Sequence, residues 1–267
     1  MKRRHRYTGS QVFRISTLGC GISIAKCVAM IPLLVLLLTQ VQKPLPDVEE
    51  LIRVTETQLV LQIDQHDILR GYTYHRRRIS EELTSDGKIK HSEVTDEEVE
   101  GVPPAQRHHG QVFTSRSRPD NTEVIADMSR VWDFLILKRE NINGRAAIAV
   151  AFAPKKHSRP QTDAGKRLFK NSKGVVWIDE ADHQIARLHA VLMDDVTVAW
   201  GIVGKADKGS AIFREWKKVD EAWLPSKSRM HVRARAFVIG LNFEEVEEYS
   251  DYRKVYAVTN PNLDSPR

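Results

Sequence analysis

Several sets of residues have the types and spacing from which chemistry is built. Asp179, Asp182 and His183 crowd one short stretch, as an acid–base group or a metal site would. Ser85 and Lys88 share the S-x-x-K spacing of serine acyltransferases. His108-His109 places two imidazoles side by side, and Asp194-Asp195 two carboxylates. Each set has a plainer reading. Aspartate gathers at turns because its carboxylate accepts hydrogen bonds from nearby backbone N–H groups, and residues 180–183 sit between two apolar runs. Ser85 and Lys88 bracket an Asp86-Gly87 turn and lack the Ser-Asp-Asn and Lys-Thr-Gly elements of that chemistry. Asp194-Asp195 ends a strand, and the two histidines lie in a polar loop with no third ligand spaced nearby. The chain has no HExxH, GxSxG, Walker A or GxGxxG and no cysteine-based metal signature. No catalytic residue, metal or cofactor is expected, and the chain does not read as an enzyme.

Apolar side chains are the better candidates for binding. Trp132, Phe134 and Ile136 project to one face of their run, and Ile148, Val150 and Phe152 do the same on the next. Val176, Ile178, Leu188 and Leu192 continue the series. The same alternation would build either a packed core between a sheet and a helix or the lining of a ligand cavity.

The elements that position these residues follow from periodicity. Asp47 is a candidate N-cap for a helix over roughly 48–68, with Val48, Leu51, Ile52, Thr55, Leu59, Ile63 and Leu69 as its apolar stripe. From Gly71 the period changes to two. Tyr72–Ile79 runs through a Ser85–Lys88 turn into a return strand over 89–99. Val131–Arg139 turns through Asn141–Gly144 into Arg145–Ala153, and residues 154–173 read as a charged loop with one helical turn. Gly174–Asp179 pairs with Ile185–Met193, and Ala199–Asp207 links to Ser210–Val219. In 226–239, Ser228, Met230, Val232, Ala234, Ala236 and Val238 face one way, and Lys227, Arg229, His231, Arg233 and Arg235 the other. The following run carries Glu244, Glu245, Glu247, Glu248 and Asp251, so the basic row reads as a solvated sheet face paired across the ladder. One helix followed by nine or ten consecutive antiparallel strands is expected, and accumulated twist curls such a meander into a half-barrel.

Charge gives an address. Residues 1–42 hold Lys2, Arg3, Arg4, Arg6, Arg14 and Lys26 and no acidic residue, so they carry the whole formal charge of +6. From Lys43 onward 35 basic residues face 35 acidic ones, which argues against bulk attraction to nucleic acid. The run 27–39 has no charge and follows a basic n-region, as a signal peptide's h-region does. The alternative is an uncleaved anchor over residues 18–38, giving inner-membrane association. Either way residues 43–267 are expected across the membrane, in the periplasm of a bacterial envelope. Cys20 and Cys27 are the only cysteines, so the exported body holds no disulfide. The expected organisation is 1–42 as signal or anchor, 43–255 as a β domain and 256–267 as a tail.

Three blocks of sequence resemble the LolA/LolB-like superfamily of periplasmic lipoprotein-sorting proteins. They are Gly174–Asp179 with Asp182–Leu188, then Trp223-Leu224-Pro225-Ser226-Lys227, then Tyr249–Lys254. The resemblance covers about residues 47–255 and implies a mainly β fold with helical cover. That is a strongly curved antiparallel sheet, a half-open β-barrel, preceded by an N-terminal helix. It implies lipid or lipoprotein acyl chains as partners, held in an apolar cavity, and carries over no catalytic residue. The charged insertion at 154–173 departs from the family pattern. The competing expectation is a non-enzymatic structural or regulatory envelope module that uses the sheet for protein contact.

Overall fold

Asp47 begins the first helix as its residue type suggests. Its Oδ1 accepts from the Glu50 N–H at 3.0 Å, and Glu49 and Glu50 add negative charge to the first turn. The computed structural model describes residues 44–63, 66–103, 121–200, 202–236 and 239–256. The proposed signal or anchor, the His108-His109 pair and residues 257–267 lie outside them. Among the described residues no helix is long and apolar enough to cross a membrane.

The expected single helix over 48–68 is two helices, α1 (Val48–Ile63) and α2 (His66–Arg70). They bury against different clusters. Leu51 and Ile52 of α1 pack with Ile148, Val150 and Ile178, whereas Ile68 and Leu69 of α2 pack on Tyr72 and Leu224.

Eleven strands form one antiparallel sheet among the described residues. They are β1 (Tyr72–Leu83), β2 (Ile89–Val99), β3 (Trp132–Ile142), β4 (Arg145–Pro154), β5 (Ser172–Asp179), β6 (Ile185–Leu192), β7 (Val196–Trp200), β8 (Ile202–Ala206), β9 (Ala211–Val219), β10 (Ala222–Ala236) and β11 (Ile239–Lys254). The sheet is curved, has helices on one face and does not close into a barrel. Its order is β2-β1-β11-β10-β9-β6-β5-β4-β3, with the β7–β8 hairpin branching from the end of β10. A consecutive meander was the expectation, and it holds only in part. The first hairpin docks through β1 onto the last strand β11, leaving β2 and β3 as edges. The expected single run over 199–207 is instead the end of β7 and the whole of β8, which pair with each other.

A third helix, α3 (Asn121–Val131), intervenes between β2 and β3 and was not anticipated. Val124, Ile125, Met128 and Val131 give it helical spacing, and Ile125 and Val131 are buried. The Ser129 hydroxyl donates to Glu56 Oε1, tying α3 to α1. Burial raises the Glu56 carboxyl above its ordinary pKa, against the opposing effect of that hydrogen bond.

The 154–173 segment contains α4 (Asp163–Arg167) and a 3₁₀ turn at Phe169–Asn171. Asp127 of α3 anchors it. This fully buried carboxylate accepts from the Gln161 N–H at 3.0 Å, the Thr162 N–H at 2.7 Å and the Thr162 hydroxyl at 2.6 Å. Burial pulls its pKa up, but these donors and Arg130 outweigh it and bring it down to about 2.

The β3–β4 turn is tighter than the expected Asn141–Gly144. Asn143 and Gly144 have φ of 51° and 83°, the two left-handed residues of a type I′ hairpin. Gly174 is required for another reason. A Cβ there would lie 1.9 Å from the His189 carbonyl oxygen, so β5 and β6 can approach only over glycine.

Candidate functional site: an apolar groove beside the packed core

The helix-covered face of the sheet divides into two parts. Under α1 and α3, the core unites Leu51, Ile52, Val131 and Trp132 with Ile148, Val150, Phe152, Val176 and Ile178. Six of the ten sequence candidates, Trp132, Ile148, Val150, Phe152, Val176 and Ile178, are therefore buried members of this core. Phe134 and Ile136 of edge strand β3 are half-buried against the same cluster.

Beyond the helices the same face opens into a groove of about 310 Å³. Trp132 and Phe152 form its inner wall. Leu188, Ala190 and Leu192 of β6, Ile212 of β9, and Met230 and Val232 of β10 line it across the strands. Leu168 and Phe169, from the turn after α4, cap one side, and Ser172 and Ser210 are its only polar side chains. Of the ten candidates, Trp132, Phe152, Leu188 and Leu192 border this space.

Trp132 is the partition between core and groove. Its ring lies 4.4 Å from Phe152 and 4.7 Å from Phe169 between centroids, and its Nε1 donates to the Phe169 carbonyl at 2.8 Å. Leu168 is 39% exposed at the rim. In the sequence Leu168 and Phe169 stand inside the charged 154–173 stretch, where nothing marks them as groove residues. Met230 and Val232 carried the alternation signal, but nothing in a single strand marks which apolar neighbour lies across the groove.

Of the other candidate groups, Asp179, Asp182 and Asp195 are tied up by structural partners, whereas the buried His183 Nδ1 has no hydrogen-bond partner among the described residues. Arg145 grips Asp179 through two hydrogen bonds, Nε to Oδ2 at 2.7 Å and Nη2 to Oδ1 at 2.8 Å. The N–H groups of Ala181 and Asp182 also donate to Asp179 Oδ1, the hydrogen bonding of an Asx turn. Burial alone would raise the Asp179 pKa; these donors lower it overall. Asp182 accepts from Trp223 Nε1 at 3.0 Å and pairs with Lys218 at 3.0 Å and Arg145 at 3.1 Å. The set fastens the β5–β6 turn to its neighbours. Asp195 is held below the ordinary carboxylate range by Lys205, 2.7 Å away, and by the Lys208 N–H. Ser85 and Lys88 are both exposed in their turn, where Lys88 pairs with Asp86 at 2.9 Å. Among the described residues no group of three or more His, Cys, Asp and Glu could hold a metal ion.

The opposite face is paved with charge. Lys227 pairs with Glu248 at 2.9 Å and Arg229 with Glu244 through Nε at 2.6 Å, as the alternation of β10 and β11 anticipated. A cavity of about 510 Å³ lies there, bordered by Trp177, Arg187, His189, Phe213, Arg229 and His231. Its central guanidinium, Arg187, is committed. It lies 5.4 Å from the Trp177 ring centroid and 5.8 Å from that of Phe213, and its Nε donates to Glu215 at 2.7 Å.

No protein-family model and no curated protein matches the chain. Among solved structures it is similar to a DUF1329 family protein from Desulfovibrio piger, at 16% identity over 76% of this chain and 92% of that one, with a TM-score of 0.28. A putative outer membrane lipoprotein-sorting protein domain from Vibrio parahaemolyticus matches at 13% identity over 73% and 91%, with a TM-score of 0.27. A LolA superfamily protein from Nitrosomonas europaea matches at 12% identity over 74% and 92%, with a TM-score of 0.24.

Proposed function

We propose that this chain is an exported envelope protein that holds a lipid or lipoprotein acyl chain in the groove between Trp132 and Val232. One observation carries the reading. A groove lined by apolar side chains apart from two serines stays open beside a core in which Ile148, Val150 and Ile178 are wholly buried. An acyl chain laid there removes apolar surface from water on both sides, worth about 0.8 kcal/mol per methylene. The turn carrying Leu168 and Phe169 is the element that would move to admit the chain. It is held on the groove side by one indole hydrogen bond and one ring contact, both from Trp132. Role in lipoprotein sorting or transfer, and tethering through residues 18–38, belong to the same proposal.

Native mass spectrometry of the full-length protein purified from its own membrane tests it. The expected result is a bound species that solvent extraction releases as a fatty acyl compound. Protein consistently free of hydrophobic ligand would overturn the reading and leave the sheet as a surface for protein contact. Sequencing the mature N-terminus separates tether from released protein, because cleavage removes residues 18–38.

A further inference from the structure

We propose that the ligand is a single-chain amphiphile with an anionic head, and that Arg214 and Ser228 receive that head. This rests on the groove reading above and adds the number of chains and the chemistry of the head. Residues paired across antiparallel strands share a face. Ala190 pairs with Ile212 and Ile212 with Met230, so these three form one rung of the groove floor. The next rung on that face is Leu188, Arg214 and Ser228. Leu188 still lines the groove; the other two are polar. A guanidinium and a hydroxyl therefore stand about 7 Å beyond Ile212 along β9 and β10, at the end of the apolar floor.

Arg214 is exposed, and neither it nor Ser228 has a hydrogen-bond or ion-pair partner among the described residues. That is unusual on these strands. Of the five arginines of β6, β9 and β10, Arg187 is tied to Glu215, Arg229 to Glu244, Arg233 to the Lys208 carbonyl and Arg235 to Asp207. Of these five only Arg214, on the groove face of β9, has no side-chain partner among the described residues. A guanidinium fork matches a carboxylate or phosphate geometrically, and beside an apolar wall the pairing is less screened than in open water.

The acidic groups on this face stand one strand further out. Glu247 of β11 pairs with Ser228, Glu245 pairs with Met230, and Arg78 of β1 lies opposite Glu247. Glu247 Oε2 already accepts from the Tyr249 hydroxyl at 2.8 Å. They confine an anionic head to the Arg214 side. At about 310 Å³ the groove has the volume for one chain, near the lower end of the range of roughly 300–1,000 Å³ for ligand sites.

Displacement of the neutral probe N-phenyl-1-naphthylamine from the full-length protein, held in amphipol, tests this. Dodecanoate, dodecyl phosphate, dodecanol, dodecyltrimethylammonium and inorganic phosphate serve as competitors against wild type, Arg214→Gln and Ala190→Phe. The two anionic amphiphiles should compete about tenfold better than dodecanol, and Arg214→Gln should erase that preference while leaving dodecanol unchanged. No preference in wild type, or a preference that survives Arg214→Gln, overturns the head assignment. The groove reading then still stands if dodecanol competes and Ala190→Phe abolishes its binding. Inorganic phosphate competing as well as dodecyl phosphate would show a free-anion site and also overturn the amphiphile. Failure of every chain to compete in wild type overturns the groove reading itself.

Discussion

Two halves of one sheet face carry the same alternation of apolar residues and meet different fates. Over β3, β4 and β5 the inward side chains disappear beneath α1 and α3, and Ile148, Val150 and Ile178 are wholly buried. Over β6, β9 and β10 the inward residues Leu188, Ala190, Ile212, Met230 and Val232 face a groove of about 310 Å³. The strands do not differ in pattern. Among the described residues the helical cover from α1 and α3 packs on the β3–β5 side of the face. On the proposed function, packed core and binding groove are separated by where that cover ends, and the boundary is Trp132.

That contrast can be broken most forcefully on the covered side. Ile148→Ala should cost about 3–4 kcal/mol in chemical denaturation, because the void beneath α1 cannot collapse. Ile212→Ala, on the open side, should cost about 1 kcal/mol or less and appear instead as weaker acyl-chain binding. Equal losses of stability at the two positions would mean that the groove is packed core.

The cover itself depends on Asp127, and its contribution is pH-dependent. A folded-state pKa of about 2, against about 3.9 in the unfolded chain, stabilises the protein above pH 4 by about 2 kcal/mol. Because the folded value is depressed, that stabilisation is lost as pH falls from 4 through 2. Denaturation midpoints of Asp127→Asn measured over this window should fall less steeply than those of wild type. A parallel acid slope in the variant would show that the carboxylate does not bind α3 to the 155–162 segment.

Filling the groove sharpens the comparison from the other side. Ala190→Phe should change stability by less than about 1 kcal/mol, since the ring enters open space, while eliminating displacement of an apolar probe. Smallest of all should be Arg229→Ala on the charged face. An exposed pair such as Arg229–Glu244 contributes about 0.2–1 kcal/mol, and ligand binding should not respond.

Much of the fold was legible because its signals are local. The Asp47 cap, the hairpin turns at Asp86-Gly87 and Asn143-Gly144, and the charge ladder of β10 with β11 all stood in short stretches of sequence. What escaped was non-local. α3 carries a helical spacing that the polar residues around it obscured. α1 and α2 pack on two separate clusters that only the folded sheet creates. The docking of β1 on β11 joins residues about as far apart as the described chain allows, so no turn or periodicity could announce it.

The candidate site shows the same limit. Alternation named Trp132, Phe152, Leu188 and Leu192, which border the groove, in one breath with Ile148, Val150, Val176 and Ile178, which do not. By itself the sequence determined which side chains turn inward on each strand, because a period of two is written in the order of residues. It determined too that the formal charge of +6 belongs to residues 1–42. Only the tertiary structure decided which inward residues are covered. Cover depends on where helices from other parts of the chain come to rest, and on how far a turn such as Leu168-Phe169 reaches across strands distant in sequence.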